Sequence, residues 1–302
     1  MKNSASSQGI RTPFKKTLKN IRIVDFSRLL PGPFASSILA QMGAKVTCVL
    51  PPTSDPLLTE YSPFDWLRKG KKFLTADLKN KTDQNKVRKL IAEADVMLEG
   101  FRPGVLERLG FGFKQVKKWN AKLLYFSMTG YPQGSAQFEK AGHDLNFLVE
   151  SGVYQYFYDA SSNKIPALQL ADLAGGYLLA LQVLSGLFEP AKKRKAKHVY
   201  SSILEGMQFM QAYLAGAEHL IPILSGGLAR YHIYHTLDHK RLVVAAIEPK
   251  FYQTFLKNIG LTHIKNDDPL AIEAITQTIA TKTLAQWKEQ LKNIDACLSF
   301  LE

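Results

Sequence analysis

From residue 21 onward, short apolar runs alternate with longer stretches of helical periodicity, and that alternation leaves few folds open to the chain. Residues 21–26, 45–50, 95–99 and 123–128 read as buried strands, and 34–42, 83–94, 104–109 and 113–119 as helices. Strands joined through helices need crossover connections, which predicts an α/β protein with a Rossmann-like parallel sheet covered on both faces. No GxGxxG follows the first strand. In its place SRLLPGPFA makes a sharp turn at Pro31, Gly32 and Pro33, with Pro33 able to open the next helix, so a dinucleotide site of the usual kind is disfavoured. Helical periodicity resumes at 175–188 and at about 202–217 on either side of the basic run AKKRKAKH. That run is the natural boundary and predicts three parts: a disordered basic leader (1–20), a large domain (21–190) and a smaller α+β domain (191–302). In the last, strands near 229–235 and 241–247 precede helices at 250–259, 270–282 and 284–292.

Composition narrows the setting. With 46% hydrophobic and 22% charged residues the chain reads as globular. Apolar runs such as 178–184 fall short of the ~20 residues that span a bilayer, and no apolar segment follows the start. The expectation is a cytoplasmic protein without a membrane partner. Cys48 and Cys297 have no CxxC-type spacing, so neither a disulfide framework nor a zinc site is indicated. A net charge of +13 suits polyanions, anionic membranes or a phosphorylated small ligand, and its sign does not choose among them. The leader reads as a solvated tail or a targeting segment, though it lacks an amphipathic repeat. AKKRKAKH lacks the interleaved aromatics of single-strand binders and reads as a solvated face, so no nucleic-acid partner is expected.

Three polar positions stand at the ends of apolar stretches or on glycine-flanked turns: His143 in AGHDLNF, Asp172 in LADLAGG and Glu248 in AAIEPKF. Each has a structural reading beside a chemical one. Asp172 ahead of a helix would serve as an N-cap, and satisfied structural polar groups are common. Their meaning depends on whether they meet in space.

The segments SRLLPGPFASSILAQMGAKV, RKGKKFLTADLK, DVMLEGFRPGVLERLGFG, LLYFSMTGYPQG, AGHDLNF, LADLAGG, AAIEPKFY and DAC occur in that order. Together they resemble the family III coenzyme A transferases, the CaiB/BaiF group, and within it the α-methylacyl-CoA racemases, from about residue 21 to the end. The resemblance implies that His143 and Asp172 are two acid/base groups flanking the α-carbon of a 2-methylacyl thioester, with Glu248 supporting the histidine. One base removes the proton from one face and the other returns one to the opposite face, through an enolate. It also implies coenzyme A contacts from the TADLK turn (Ala76, Asp77, Leu78, Lys79), from Arg102, and from Gly142, Asp144, Asn146 and Phe147. No metal or redox cofactor is implied, the CoA thioester being substrate, and an interlocked homodimer is. Backbone N–H groups at the Gly142 turn or at the entry of the Asp172 helix are candidate donors to the enolate oxygen.

In the family's transferases the aspartate matching Asp172 is a nucleophile and the GHD histidine is missing, so His143 with Glu248 turns the expectation toward proton transfer. Acyl transfer through Asp172 remains the alternative. The departures from the family pattern lie elsewhere. Leu50 and Pro51 replace an acidic residue and an Arg or Pro near the adenine. GGLARY and DHK stand where the family has glycine-bearing turns, which predicts strain where φ > 0 is needed. The family continues beyond DACLSFLE with a segment that returns to the large domain. These departures favour a further reading, an inactive acyl-CoA-binding member.

Overall fold

The computed structural model describes residues 13–53, 65–157, 163–265 and 268–302. The chain divides into two compact units, Met1–Ala212 and Tyr213–Glu302. In the first, β1 (Arg22–Asp25), β2 (Lys45–Leu50), β3 (Lys72–Thr75), β4 (Val96–Glu99), β5 (Leu124–Thr129) and β6 (Lys197–Ser202) form one sheet. Their order is β3-β2-β1-β4-β5-β6, with every neighbouring pair parallel. The order reverses between β1 and β4, so the connections diverge there and leave a crevice at the carboxyl ends of those two strands.

The helices of this unit are α1 (Pro31–Gln41), α2 (Asp65–Arg68), α3 (Lys81–Ala92), α4 (Val105–Arg108), α5 (Phe113–Trp119), α6 (Asp144–Glu150), α7 (Leu170–Leu187) and α8 (Ile203–Gln211). Successive strand residues point to opposite faces, so each strand feeds two cores. Ile23, Leu98 and Phe126 meet Phe34, Leu39, Leu179 and Val183 of α1 and α7, whereas Val24, Met97 and Tyr125 meet Val87, Ile91 and Val116 of α3 and α5. Gly176 lets α1 and α7 approach: a Cβ there would stand 2.7 Å from the Pro31 carbonyl oxygen.

Several expectations are corrected. The unit boundary lies after Ala212, not at the basic run, because that run leads into β6, which pairs with β5 along its whole length. Arg194 of the run is buried rather than solvated, 3.3 Å from the Asp95 carboxylate and donating to the Glu189 carbonyl. Both edge strands, β3 and β6, escaped the periodicity reading because lysines and half-exposed positions interrupt their apolar pattern, as is common at sheet edges. The first 12 residues lie outside the described residues, but the rest of the expected loose leader is held: the Leu18 N–H donates to the Met42 carbonyl at 2.9 Å, and Phe14 and Leu18 pack on the α1 core. Finally, α7 is long and apolar enough, by length and composition, to cross a membrane, which the short apolar runs did not suggest. Its inner residues, Leu179, Ala180 and Val183, are part of the sheet core.

In the second unit β7 (Tyr231–His235), β8 (Arg241–Ala245) and β9 (Leu298–Leu301) form an antiparallel sheet in that order. With it go α9 (Pro249–Asn258), α10 (Ala271–Ile279) and α11 (Leu284–Gln290), around a core of Tyr234, Leu242, Tyr252, Phe255, Ile275 and Trp287. The expected strain in the DHK turn is present: His239 adopts φ 56°, in the left-handed region. Left-handed geometry costs a side chain ~1–2 kcal/mol, while glycine's extra freedom in the unfolded chain gives back ~0.4–1 kcal/mol. His239→Gly is therefore expected to raise stability by about 0.5–1 kcal/mol, read from urea unfolding of the intact chain.

Candidate active site

The crevice where the strand order reverses holds a cavity of about 270 Å³. Its walls come from the turns after β1 and β4, the glycine-flanked loop before α6 and the first turn of α7, among them Arg28, Arg102, Lys140, Gly142, His143 and Asp172. His143 and Asp172 are thus brought to one cavity, as the family resemblance implies.

The histidine is placed by its backbone. His143 caps α6 with extended geometry (φ −126°, ψ 171°), its N–H donating to Asn146 Oδ1 at 3.0 Å, which leaves the ring exposed. Phe147 underpins the same loop. Its ring is buried against Gly142 and Gly130, and a Cβ on Gly142 would come within 2.6 Å of Phe147 Cζ. Glycine ahead of the His-Asp pair is therefore a matter of space, and the Phe147 ring, edge-on to Tyr131 at 5.3 Å, keeps the loop from collapsing.

Asp172 is not an N-cap. It lies in the first turn of α7, behind Gln169, whose Nε2 donates to Asp172 Oδ2 at 3.1 Å. Its own N–H donates to Asp144 Oδ1 at 3.0 Å, so Asp144 caps α7 from across the loop and sets a second carboxylate beside the first. Burial, then the Asp144 charge, push the Asp172 carboxyl up to about 6, against the opposing pull of His143 and the Gln169 hydrogen bond. An acid poised near neutrality can give or take a proton. Asp144→Asn keeps an acceptor for the Asp172 N–H but removes the charge. The Asp172 carboxyl should then titrate lower, and the acidic limb of kcat/KM for the direction in which Asp172 is the base should move to lower pH.

The remaining expected positions sort themselves by cavity. Arg102 is exposed on the rim of the larger one. Ala76, Asp77, Leu78 and Lys79 line a neighbouring cavity of about 180 Å³, together with Val49, Leu50, Pro51 and Pro52. That turn is locked from within: Asp77 Oδ1 accepts the Lys79 N–H at 2.9 Å and the Asp77 N–H donates to Asp83 at 3.0 Å. Leu50 and Pro51 thus give this cavity an apolar wall. Arg28, with its guanidinium 5.4 Å from the Phe101 ring centroid, lines both cavities with that ring. Neither Arg28 nor Lys140 stood out in the sequence, although a position just past the carboxyl end of a strand at a switch point was the available signal for Arg28. Asp144 and Asn146 use side-chain oxygens on Asp172 and His143, so they build the site from behind. The same two bonds take up the His143 and Asp172 amides, two of the N–H groups in the segments expected to serve an enolate oxygen. Glu248 belongs to the second unit, exposed at the start of α9, where its carbonyl accepts the Phe251 and Tyr252 amides at 3.0 and 3.1 Å. Among the described residues no three His, Cys, Asp or Glu side chains gather as metal ligands.

A parallel sheet in this strand order, with a cavity at its switch point lined by Arg28, Arg102 and Lys140 and by an Asp on the first turn of an apolar helix, defines an α/β protein with its site where such sheets place one. The chain belongs to the CoA-transferase family III, matching it over residues 18–302. It is 33% identical to the α-methylacyl-CoA racemase of Mus musculus over 301 residues, covering 93% of this chain and 77% of the relative. It is also 28% identical to the acetyl-CoA:oxalate CoA-transferase of Acetobacter aceti, covering 84% and 69% of the two chains. Among solved structures, a hypothetical protein from Mycobacterium tuberculosis superposes with a TM-score of 0.81 at 26% identity, covering 94% of this chain and 84% of the other.

Proposed function

We propose that this family member interconverts (R)- and (S)-2-methylacyl-CoA thioesters by a two-base transfer of the α-proton. One observation carries the reading: His143 and Asp172 line the same cavity, and the Asp172 carboxyl is held up at about 6. One base takes the α-proton, the C–H electron pair passes into the thioester carbonyl to give an enolate, and the conjugate acid of the other base protonates the opposite face. On the return the roles exchange. Arg28, Arg102 and Lys140 supply positive charge for the phosphates of the CoA moiety. Glu248, through the family likeness, is assigned to the support of the imidazolium. A second copy of the chain is part of the proposal, supported by the exposed apolar side chains Tyr177, Leu181, Phe188 and Phe209 on or next to α7 and α8.

Transferase relatives favour a second reading, in which Asp172 attacks the thioester. A nucleophilic carboxylate has to be ionised, and burial beside Asp144 works against that, whereas a proton shuttle benefits from it. Wild-type enzyme in D₂O distinguishes the two. Deuterium should enter the α-position of both 2-methyloctanoyl-CoA enantiomers without any added acid acceptor. Absence of exchange, with CoA passing from a thioester to a free carboxylic acid, would replace this reading by the transferase.

A further inference from the structure

β1 and β4 are neighbours at the switch point, and each ends in a buried carboxylate that turns the chain toward the cavity. Asp25 accepts the Ser27 N–H at 2.8 Å and Glu99 accepts the Phe101 N–H at 2.8 Å. Ser27 and Phe101 both line the larger cavity. The two carboxylates differ in their surroundings. Asp25 also accepts the Ser27 hydroxyl, faces the Cys48 thiol at 4.0 Å and feels the charge of the half-buried Lys71 ammonium. Glu99, only 6% exposed, has hydrogen bonds from Ser127 and Phe101, and the charge that acts on it, from Glu107 of α4, has the same sign. Burial, with Glu107 adding, pushes its carboxyl up to about 7 against those two hydrogen bonds. Tyr125 of β5 and Tyr200 of β6 also feel its charge. A buried carboxylate whose two hydrogen bonds do not offset its burial is a costly way to fill an interior position, since an apolar side chain of similar volume carries no charge to desolvate.

We infer that Glu99 is a positioning residue for acyl-CoA binding: by holding the Phe101 N–H it fixes the Gly100–Arg102 turn, and with it Phe101 and Arg102 on the cavity wall. The inference rests on the acyl-CoA reading given above. Phe101 belongs to both cavities and stacks with Arg28, so a shift of this turn reaches the whole cationic rim. Glu99 is itself anchored from behind. The Ser127 hydroxyl that binds it lies 2.8 Å from His198 Nε2 on the edge strand β6, and the His198 ring packs on Tyr125, Tyr200 and Phe113. A line of hydrogen bonds thus runs across β6, β5 and β4 into the loop that faces the ligand.

Glu99→Met removes both charge and acceptor at similar volume, and Glu99→Gln keeps an acceptor oxygen without the charge. Both are compared with wild type by thermal melting, by CoA titration calorimetry and by kcat and KM for α-proton exchange with 2-methyloctanoyl-CoA. The methionine variant should melt at or above the wild-type temperature while its KM and its CoA Kd rise about tenfold, equivalent to about 1.4 kcal/mol, with kcat within about twofold. The glutamine variant should recover most of the affinity. Unchanged KM and Kd in the methionine variant, or a fall in melting temperature and kcat at constant KM, would overturn the inference and leave the racemase reading standing. A wild type that binds CoA without exchange removes the racemase reading, and the calorimetric Kd then decides the role of Glu99. A wild type that neither binds CoA nor exchanges removes both.

Discussion

Asp172→Asn is expected to lower racemisation by about 10³-fold, the middle of the range that a positioned acid or base contributes. The substitution keeps the side-chain volume and an oxygen for the Gln169 donor, and it leaves the backbone bond to Asp144 in place. Loss of the proton site, not of the fold, should therefore be what the measurement reads. His143 remains, so one enantiomer should still exchange its α-proton with D₂O on the face that the imidazole reaches, with retention of configuration. The other enantiomer should be silent. Both enantiomers exchanging at wild-type rates would show that Asp172 is not one of the bases.

His143→Ala should give the mirror image: a loss of about 10³-fold in racemisation, with residual exchange confined to the opposite enantiomer. The melting temperature should move little, because the ring is exposed and the Asn146 side chain bonds the backbone N–H of position 143, which alanine keeps. A second effect follows from electrostatics. His143 pulls the Asp172 carboxyl down, so without it burial and Asp144 act with less opposition and Asp172 should titrate above its wild-type value of about 6. With Asp172 as base the rate needs the ionised form, so the acidic limb of the residual exchange should move to higher pH. This is opposite in sign to the Asp144→Asn shift, and finding the two shifts opposed would tie both groups to one carboxyl. Since the groups interact, the limbs belong to the set and not to single residues.

The same short loop gives Asp144 and Asn146 a structural task beside His143. Each closes a hydrogen bond that aims a catalytic candidate, Asp144 across to α7 and Asn146 back onto His143. Sequence adjacency does not say which way an oxygen points, so these two bonds are visible only in the folded chain.

What the sequence determined by itself was local in origin. Strand and helix alternation through β1, β2, β4 and β5 follows from side-chain periodicity, and the start of α1 follows from the prolines of its first turn. The pairing of His143 with Asp172 was legible only through the family motifs, since 28 residues separate Asp172 from the GHD aspartate that caps it. Tertiary structure decided the rest. β3 and β6 are strands because an existing sheet edge offers them partners, not because their own pattern demands it. Arg194 is buried because Asp95 is there to receive it. Asp172 and Glu99 owe their raised carboxyls to burial and to like charges brought up by folding. Periodicity is carried by neighbours along the chain, whereas burial and charge proximity are carried by neighbours in space, which a single sequence does not record.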